Sequence, residues 1–369
     1  MQQCRSGIPP HSLAAPPRAL YMGRAMNASA LQLARQAPNP VQTLMGMASA
    51  DMHAVDGIIL DRMRSSVGLI PDLANHLVGA GGKRIRPLLT VACAAMVGYR
   101  PTDFPGGHHK LAAAVEFIHS ATLLHDDVVD QSAMRRGKTP ANLVWGNAPS
   151  ILVGDFLFAR AFGLMVETGS MDALGILARA SSVIAEGEVQ QLASLRDIAV
   201  SERSYTEVIA AKTAELFASA CEVAPVLAGR PGRECAALRT YGRSLGLAFQ
   251  LVDDALDYGG LSSALGKSVG DDFREGKVTL PVILALEGGS ATKDSDREFW
   301  HRVIVDLQQT EMDLERAVSL LRRKGALRAT LARAQDYADA AVEALEVFPE
   351  SDWRSALESL AGYVVARTS

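Results

Sequence analysis

The chain of 369 residues is poor in cysteine and aromatic residues, and it lacks a long apolar run free of charge. Its four cysteines, Cys4, Cys93, Cys221 and Cys235, have no metal-ligand spacing and indicate reduced thiols of a cytosolic protein rather than a disulfide framework. No charge-free apolar stretch approaches the roughly 20 residues that span a bilayer, so we expect no membrane-spanning segment. A net charge of −4 without basic runs gives no sign of nucleic-acid binding.

Acidic residues are absent from the first 50 residues, which contain four arginines and six of the chain's 16 prolines. This composition is typical of a disordered extension, for which Met22 and Met26 are alternative starts, or of an organellar transit peptide. We expect residues 1–50 to lie outside the core and residues 51–369 to form the folded domain. If this extension is not a targeting signal, we expect a bacterial protein located in the cytoplasm. If it is a transit peptide, we expect a mitochondrial location.

Sustained alternation of apolar and polar residues, the pattern of strands, is also missing. From about residue 52 onward, segments rich in alanine and leucine repeat with helical periodicity. The longest of them are Leu111–Asp130, Gly154–Thr168, Met171–Leu195, Tyr205–Ala228 and Ala236–Tyr258. No evident linker divides the chain. The sequence therefore predicts an all-α protein, a single large bundle of at least about ten helices.

The most informative pattern is Asp-Asp-x-x-Asp, which occurs twice within apolar sequence. The two motifs are Asp126-Asp127-x-x-Asp130 and Asp253-Asp254-x-x-Asp257. On a helix, the carboxylates of each motif fall within an arc of roughly 100° and repel one another. One copy alone is usually a solvated helix end, but grouped oxygen ligands suit Mg²⁺, which also binds phosphate oxygens. Two such faces predict a metal-dependent site for a diphosphate.

Paired arginines follow the first motif. Arg135 and Arg136 come five and six residues after Asp130. Arginine forks bind diphosphate oxygens in a bidentate manner. A surface salt bridge back to Asp130 is the alternative interpretation. Because both arginines lie beside a predicted metal motif, we favour diphosphate binding over the surface salt bridge.

A second cationic segment lies upstream, where Gly81 and Gly82 precede Lys83 and Arg86. Glycines let the backbone approach an anion, and the two cations can supply compensating charge. The alternative is a basic surface turn. His119, two turns before the first motif, projects from nearly the same helical face and adds a further contact for an anion.

The combined motifs resemble those of the trans-isoprenyl (polyprenyl) diphosphate synthases of medium- or long-chain type, such as octaprenyl, decaprenyl or solanesyl diphosphate synthases. The motifs that carry the resemblance are Gly-Gly-Lys-x-x-Arg-Pro, the first aspartate motif with Arg135-Arg136-Gly137, Lys212-Thr213, Phe249-Gln250 before the second aspartate motif, and Gly266-Lys267 followed by Asp271-Asp272 and Lys277. The likeness runs from about residue 52 to the C-terminus. It implies an isoprenoid synthase fold around a deep central cavity, with residues 51–369 as the catalytic domain.

The reaction is also implied by this resemblance. Members join an allylic diphosphate, such as farnesyl diphosphate, to successive isopentenyl diphosphates and make an all-trans polyprenyl diphosphate, for example for the side chain of a quinone. Their cofactor is Mg²⁺, on the order of three ions per site, and Mn²⁺ can substitute. Members are generally homodimers. The partners of this chain are then isoprenoid diphosphates and a second copy of itself, with no nucleic acid.

Roles carried over from the family fall on individual positions. The metal ligands are Asp126, Asp127, Asp130, Asp253, Asp254 and Asp257. Isopentenyl diphosphate is bound by Lys83, Arg86, His119 and Arg136. The allylic diphosphate is bound by Arg135, Lys212, Thr213, Gln250 and Lys267. The implied catalytic residues are Lys212, Gln250, Asp126, Asp127, Asp130, Asp253 and Asp254. By local reasoning Lys212 is the weakest of these, because a lysine in an alanine-rich helix usually extends to solvent.

The resemblance also implies a role for a segment after the second motif and for the positions that set product length. Asp271, Asp272 and Lys277 are expected to form a flap that excludes water, and His125 is expected to be structural. Product length is set in the family by residues that line an apolar tunnel before the first motif. These positions are Ala121, Thr122 and Ile118. None is Phe or Tyr, which favours a medium- or long-chain product; packing against another helix is the alternative reason for the small Ala121.

Three alternatives stay open at this point. A shorter-chain farnesyl or geranylgeranyl diphosphate synthase has the same motifs. A class I terpene cyclase typically has a different second metal motif and lacks the Gly-Gly-Lys-x-x-Arg segment. An inactive regulatory subunit usually loses an aspartate motif, whereas both are intact here.

Overall fold

The computed structural model describes residues 39–79, 82–100, 105–131, 134, 138–259, 270–287 and 294–367, apart from the side chains of 77–79. These ranges are helical with short turns and contain no strand, so the prediction of an all-α protein with more than ten helices is confirmed. The α-helices, in chain order, are α1 Pro40–Met47, α2 Ser49–Arg62, α3 Leu69–Gly79, α4 Ile85–Met96, α5 Gly107–Val129, α6 Ala141–Trp145, α7 Asn147–Glu167, α8 Met171–Ala193, α9 Glu202–Ile209, α10 Glu215–Leu227, α11 Gly232–Gly259, α12 Asp271–Glu275, α13 Leu280–Leu286, α14 Asp294–Trp300, α15 Asp313–Arg323, α16 Ala326–Ala344 and α17 Asp352–Ala366.

The folded part of the chain begins earlier than the sequence indicated. Asn39 caps α1 by accepting a hydrogen bond from the backbone of Val41, and Pro40 occupies the first turn. Val41, Leu44 and Ala48 are buried in the main core. The expectation that the first 50 residues lie outside the core is therefore wrong for this segment, because the apolar spacing of a short helix is hard to see beside proline-rich sequence. Residues 1–38 of the expected extension lie outside the described residues.

Helix α5 is the central element that positions the first aspartate motif. Its residues from Leu111 to Val115 are all fully buried, and most of them are alanines. Small side chains allow neighbouring helices to approach closely, and α5 packs along α4, α7 and α2. The motif at its end is consequently held on a helix that is buried over most of its length.

Two glycines one turn apart bring α11, the carrier of the second motif, against α10. A Cβ atom on Gly242 would lie 2.3 Å from the carbonyl oxygen of Phe217, and one on Gly246 would lie 2.7 Å from the Cα atom of Ala214. Real Cβ atoms do not approach so closely, so only glycine fits these positions. The close contact fixes the height of Gln250 and the aspartates that follow on α11.

Helix α7 is long and apolar enough to cross a membrane by length and composition alone. It contains the charged residues Asp155 and Arg160. Its side facing α5 is buried through Leu157 and Leu164 among others. The opposite side exposes large apolar side chains, including Leu152 and Val166 at 66% and 64%. The helix is therefore half core and half apolar surface.

Candidate active site

Both aspartate motifs lie at the C-terminal ends of their helices. Asp126 and Asp127 are in the last turn of α5, and Asp130 is its C-cap. The second motif lies in the last two turns of α11. A helix C-terminus carries partial negative charge, so carboxylates there are unfavourable unless cations compensate them. Cations meet both motifs in the structure.

Lysines approach the first motif from two different parts of the chain. The ammonium nitrogen of Lys277 is 3.1 Å from Oδ2 of Asp130. That of Lys212 is 3.8 Å from Oδ2 of Asp126. The pKa of Lys277 is raised because Asp130 and Glu275 outweigh the effect of burial, which lowers it. Both lysines are consequently partners of the first motif.

Lys212 is turned inward by a π-helical segment, Ala210–Ala214. Such segments occur often at functional sites because the extra residue redirects a side chain. A Cβ atom on Gly187 of α8 would lie 2.7 Å from Ala211 Cβ, so only a glycine lets α8 pack here. Lys212 donates a hydrogen bond to Gln191 at 2.8 Å and contacts Glu188 at 2.5 Å. Lys212 therefore lies beside the first motif, and its role as a site residue stays a prediction.

The acidic surroundings of Lys212 crowd negative charge. Burial, followed by the nearby charge of Asp126, raises the pKa of Glu188 to about 7. Glu188 thus holds a proton readily when no further cation is near. Lys212 alone does not neutralise both carboxyls.

The second motif places its middle carboxyl in the interior. Asp254 is only 2% exposed, and it accepts hydrogen bonds from the hydroxyl of Tyr205 and from Nε2 of Gln250 at 2.9 Å. Burial and then the charge of Asp272 raise the pKa of Asp254 to about 8. Gln250 accepts in turn from the hydroxyl of Thr213 at 3.0 Å. These contacts fix the amide of Gln250 in one orientation.

The last aspartate of the motif organises the predicted flap. The carboxylate of Asp257 accepts hydrogen bonds from the backbone N–H groups of Asp271 and Asp272, both at 3.1 Å. Burial and the charge of Asp272 raise the pKa of Asp257 to about 7. Lys277, two residues after the end of helix α12, donates a hydrogen bond to Asp130 of the first motif. The segment therefore bridges the two motifs.

A second bridge joins the motifs through consecutive residues. Lys212 contacts Asp126, while its neighbour Thr213 contacts Gln250, which is bonded to Asp254. The two motifs, 127 positions apart in sequence, consequently face one site. An arrangement with the two motifs on opposite outer surfaces would contradict a shared site, and these contacts exclude it.

The C-terminal helix delivers an arginine to the second motif. Nη2 of Arg367 lies 2.9 Å from Oδ1 of Asp253 and 3.0 Å from the carbonyl oxygen of Phe249. Its guanidinium lies over the ring of Phe249, which packs against Phe217, and the guanidinium of Arg86 lies over that second ring. Burial lowers the pKa of Arg367. Arg86, one cation of the predicted isopentenyl site, is thus linked to the second motif through two aromatic rings and Arg367.

The predicted isopentenyl residues are partly brought together. Nη1 of Arg86 is 3.1 Å from Nε2 of His119. Lys83 lies over the ring of Tyr363, 5.7 Å from its centre. Arg84, between them, has a positive φ of 44° and turns away into ion pairs. Three predicted site residues lie outside the described residues: Arg135, Arg136 and Lys267.

The predicted chain-length positions lie on α5 before the first motif. Ala121 and Ile118 are fully buried in the main core, and Thr122 is half-buried, with its hydroxyl donating to the carbonyl of His119. His125 contacts the carbonyl of Ile151 on α7, consistent with a structural role. The role of Ile118, Ala121 and Thr122 in product length stays a prediction.

Four residues of the site were missed from sequence. Glu188 and Gln191 are polar residues three positions apart near the end of α8, a spacing that could have indicated a shared face. Tyr205 and Arg367 carried no such signal. Both reach the second motif only because α9 and α17 fold back onto α11.

The donor set fits divalent cations that prefer oxygen ligands. The described carboxyls of the two motifs, with Glu188 and Asp272 beside them, outnumber the cations that meet them. Asp254 and Asp257 have raised pKa values because carboxyls are buried together. A bound divalent ion would remove this cost.

Comparisons with known proteins give relatives of this chain in both sequence and structure. Residues 67–321 match the family described as polyprenyl synthetase. The octaprenyl diphosphate synthase of Escherichia coli (strain K12) is 44% identical over 321 residues, 87% of this chain and 97% of that protein. The crystal structure of a polyprenyl synthase from Caulobacter crescentus CB15, complexed with calcium and isoprenyl diphosphate, is similar with a TM-score of 0.84 and 57% identity, over 89% of this chain and 98% of that one. A decaprenyl diphosphate synthase structure from Rhodobacter capsulatus has a TM-score of 0.84 and 49% identity, over 89% and 100% of the two chains.

Proposed function

Because the chain belongs to the polyprenyl synthetase family and is a prenyltransferase that makes a medium- or long-chain polyprenyl diphosphate, we propose that its two aspartate motifs hold an allylic diphosphate beside isopentenyl diphosphate. The observation that carries this proposal is the double bridge between the motifs, through Lys212 and Thr213 and through Lys277. The allylic substrate is one such as farnesyl diphosphate. The product serves as the side chain of a quinone.

The first step is loss of the allylic diphosphate. Asp126, Asp127 and Asp130 on one side, and Asp253, Asp254 and Asp257 on the other, would hold Mg²⁺, for which Mn²⁺ could substitute. When bound, the ions supply Lewis-acid stabilisation of the leaving diphosphate. Lys212 adds a fixed positive charge beside Asp126, and Arg135 and Lys267 contact the same diphosphate. The carbon–oxygen bond then breaks with its electron pair going to diphosphate.

The second step joins the two carbon chains. Lys83, Arg86, His119 and Arg136 hold isopentenyl diphosphate so that its double bond attacks the allylic cation. Gln250 and Thr213 direct their dipoles toward that cation, and the contact with Asp254 holds the amide in place beforehand. A proton is then lost to the released diphosphate, which leaves an all-trans product one isoprene unit longer.

Water must be excluded while the cation exists, because hydrolysis would quench it. The segment from Asp271 to Lys277 is suited to this role. It is tied to Asp257 by two backbone hydrogen bonds and to Asp130 by Lys277. It covers the gap between the motifs when substrates are bound.

The main test is the product made by the purified chain alone. With farnesyl diphosphate, isopentenyl diphosphate and Mg²⁺, mass analysis is expected to detect a medium- or long-chain polyprenyl diphosphate. Asp126→Ala and Asp253→Ala are expected to lose activity by orders of magnitude while circular dichroism stays helical. Near-normal turnover of either variant would contradict the two-motif site, and a chain that needs a second protein for activity would be a heteromer subunit.

A second copy of the chain is the partner we propose for the apolar side of α7. Four large apolar side chains are exposed there: Ile151, Leu152, Phe162 and Val166. Such a surface is typical of a subunit interface. Light scattering is expected to give a dimer mass, and Leu152→Glu with Val166→Glu is expected to give monomers; a monomeric parent chain would contradict this.

The bacterial relatives favour a cytoplasmic location.

A further inference from the structure

One cluster of potential metal ligands lies outside the site described above. Asp51 is in the first turn of α2, and His108 and His109 are in the first turn of α5. Nε2 of His109 is 2.8 Å from Oδ1 of Asp51, and Nε2 of His108 is 3.5 Å from the same oxygen. One ligand atom from each of the three residues lies within 4.8 Å of the others. The cluster therefore converges on one point.

This cluster is separate from the proposed catalytic metal site. Asp126 follows His109 by 17 positions on the same helix, which corresponds to about 25 Å along the axis. The ligand types also differ. The aspartate motifs offer oxygens only, whereas here two imidazoles meet one carboxylate. No step of prenyl transfer uses these three residues.

The charge state of the cluster suits a cation. Burial, followed by the charge of His109, lowers the pKa of His108, while Asp51 raises it. The pKa of Asp51 is lowered because hydrogen bonds from both histidines outweigh its burial, which raises it. An ionised carboxylate and a neutral imidazole are the forms that bind metals. The two rings lie side by side with centres 3.8 Å apart, so that each turns its Nε2 atom toward the same carboxylate oxygen.

We propose that Asp51, His108 and His109 form a Zn²⁺ site that joins α2 to α5. Imidazole ligands favour zinc over magnesium. Ligand atoms around a tetrahedral zinc are about 3.4 Å apart. The 3.5 Å between His108 and Asp51 matches this value, and the 2.8 Å between His109 and Asp51 is a hydrogen-bond distance that the ion would lengthen. The side chains are 13%, 20% and 38% exposed for His108, His109 and Asp51, which leaves room for a water molecule as the fourth ligand. The ion would hold the N-terminal helices onto the helix of the first aspartate motif.

Equilibrium dialysis of the chelator-treated full chain tests the site. Millimolar Mg²⁺ is kept present so that the oxygen sites of the aspartate motifs are occupied. The parent chain is expected to retain one equivalent of Zn²⁺, and His108→Ala/His109→Ala and Asp51→Asn are expected to lose it. His53→Ala is the matched control, because His53 is an exposed histidine on the same helix as Asp51. Asp126→Asn/Asp253→Asn is expected to retain the equivalent.

Two further measurements keep the proposal falsifiable if the alanine variant does not fold. Co²⁺, used as a coloured substitute, is expected to give visible absorption of a four-coordinate ion with the parent chain and not with Asp51→Asn. Zn²⁺ is expected to raise the unfolding temperature of the parent chain and not that of Asp51→Asn. The proposal is overturned if Asp51→Asn retains the zinc equivalent and the spectrum, or if His53→Ala loses them equally.

Discussion

Arg367 provides a sharp test of the second aspartate motif, because it occupies the oxygen that a metal ion would need. Its Nη2 atom lies 2.9 Å from Oδ1 of Asp253, and the two side chains are 12% and 22% exposed. If Asp253 holds Mg²⁺ as proposed, Arg367 and the ion compete for one carboxylate. Arg367→Met removes the competitor and keeps most of the apolar side-chain volume.

The size of the effect follows from the contact. A hydrogen bond between charged groups contributes about 1.5–3 kcal/mol when it is shielded from water. Partial exposure and the cost of burying the guanidinium place this pair at the lower end. Since about 1.4 kcal/mol is a factor of ten, Arg367→Met is expected to lower the half-saturating Mg²⁺ concentration about tenfold. Without metal, the variant is expected to unfold more easily, because the charge of Asp253 loses its cation.

The assay is a Mg²⁺ titration of initial rates at saturating substrates, with thermal unfolding in chelator alongside. Arg354→Met is a closely matched control on the same helix. Arg354 is also ion-paired with a carboxylate, Glu358 at 2.7 Å, and also donates to a backbone carbonyl. Both variants are expected to unfold at lower temperature, and only Arg367→Met is expected to change the Mg²⁺ dependence. A half-saturating Mg²⁺ concentration that is unchanged or raised in Arg367→Met would refute the competition, and so would an equal shift in both variants.

Three further predictions concern stability and product length. The pKa of Asp254 is raised to about 8, so the metal-free fold holds a proton that the unfolded chain releases near pH 4. The stability that this proton contributes is present at low pH and is lost as pH rises toward 8. The unfolding temperature in chelator is therefore expected to fall between pH 5 and 8, and to fall less in Asp254→Asn. Gly246→Ala is expected to destabilise by about 1–3 kcal/mol in urea, because its Cβ would meet the Ala214 backbone. Gly362→Ala, where nothing lies within 4 Å, is expected to stabilise by about 0.5–1 kcal/mol, and equal effects would contradict the packing argument. Ala121→Phe is expected to shorten the product in radiolabelled chromatography, and an unchanged length would contradict the tunnel assignment.

The sequence by itself determined the helical class and the chemistry of the two aspartate motifs. Helical periodicity is local, so the boundaries of α5 and α11 could be approximated from apolar spacing alone. The motifs were recognisable because the pattern occurs twice within apolar sequence, and the first copy is followed by paired arginines. The same reasoning did not predict α1, a short helix whose burial depends on α4 and α17 packing over it.

Only the tertiary structure decided which distant groups meet these motifs. The π-helical segment that turns Lys212 toward Asp126 depends on close packing of α8 at Gly187, which no local propensity encodes. Arg367 reaches Asp253, and Tyr205 reaches Asp254, from helices far along the chain. Such contacts arise from long-range packing, whereas sequence patterns report the few residues that neighbour one another on one helix.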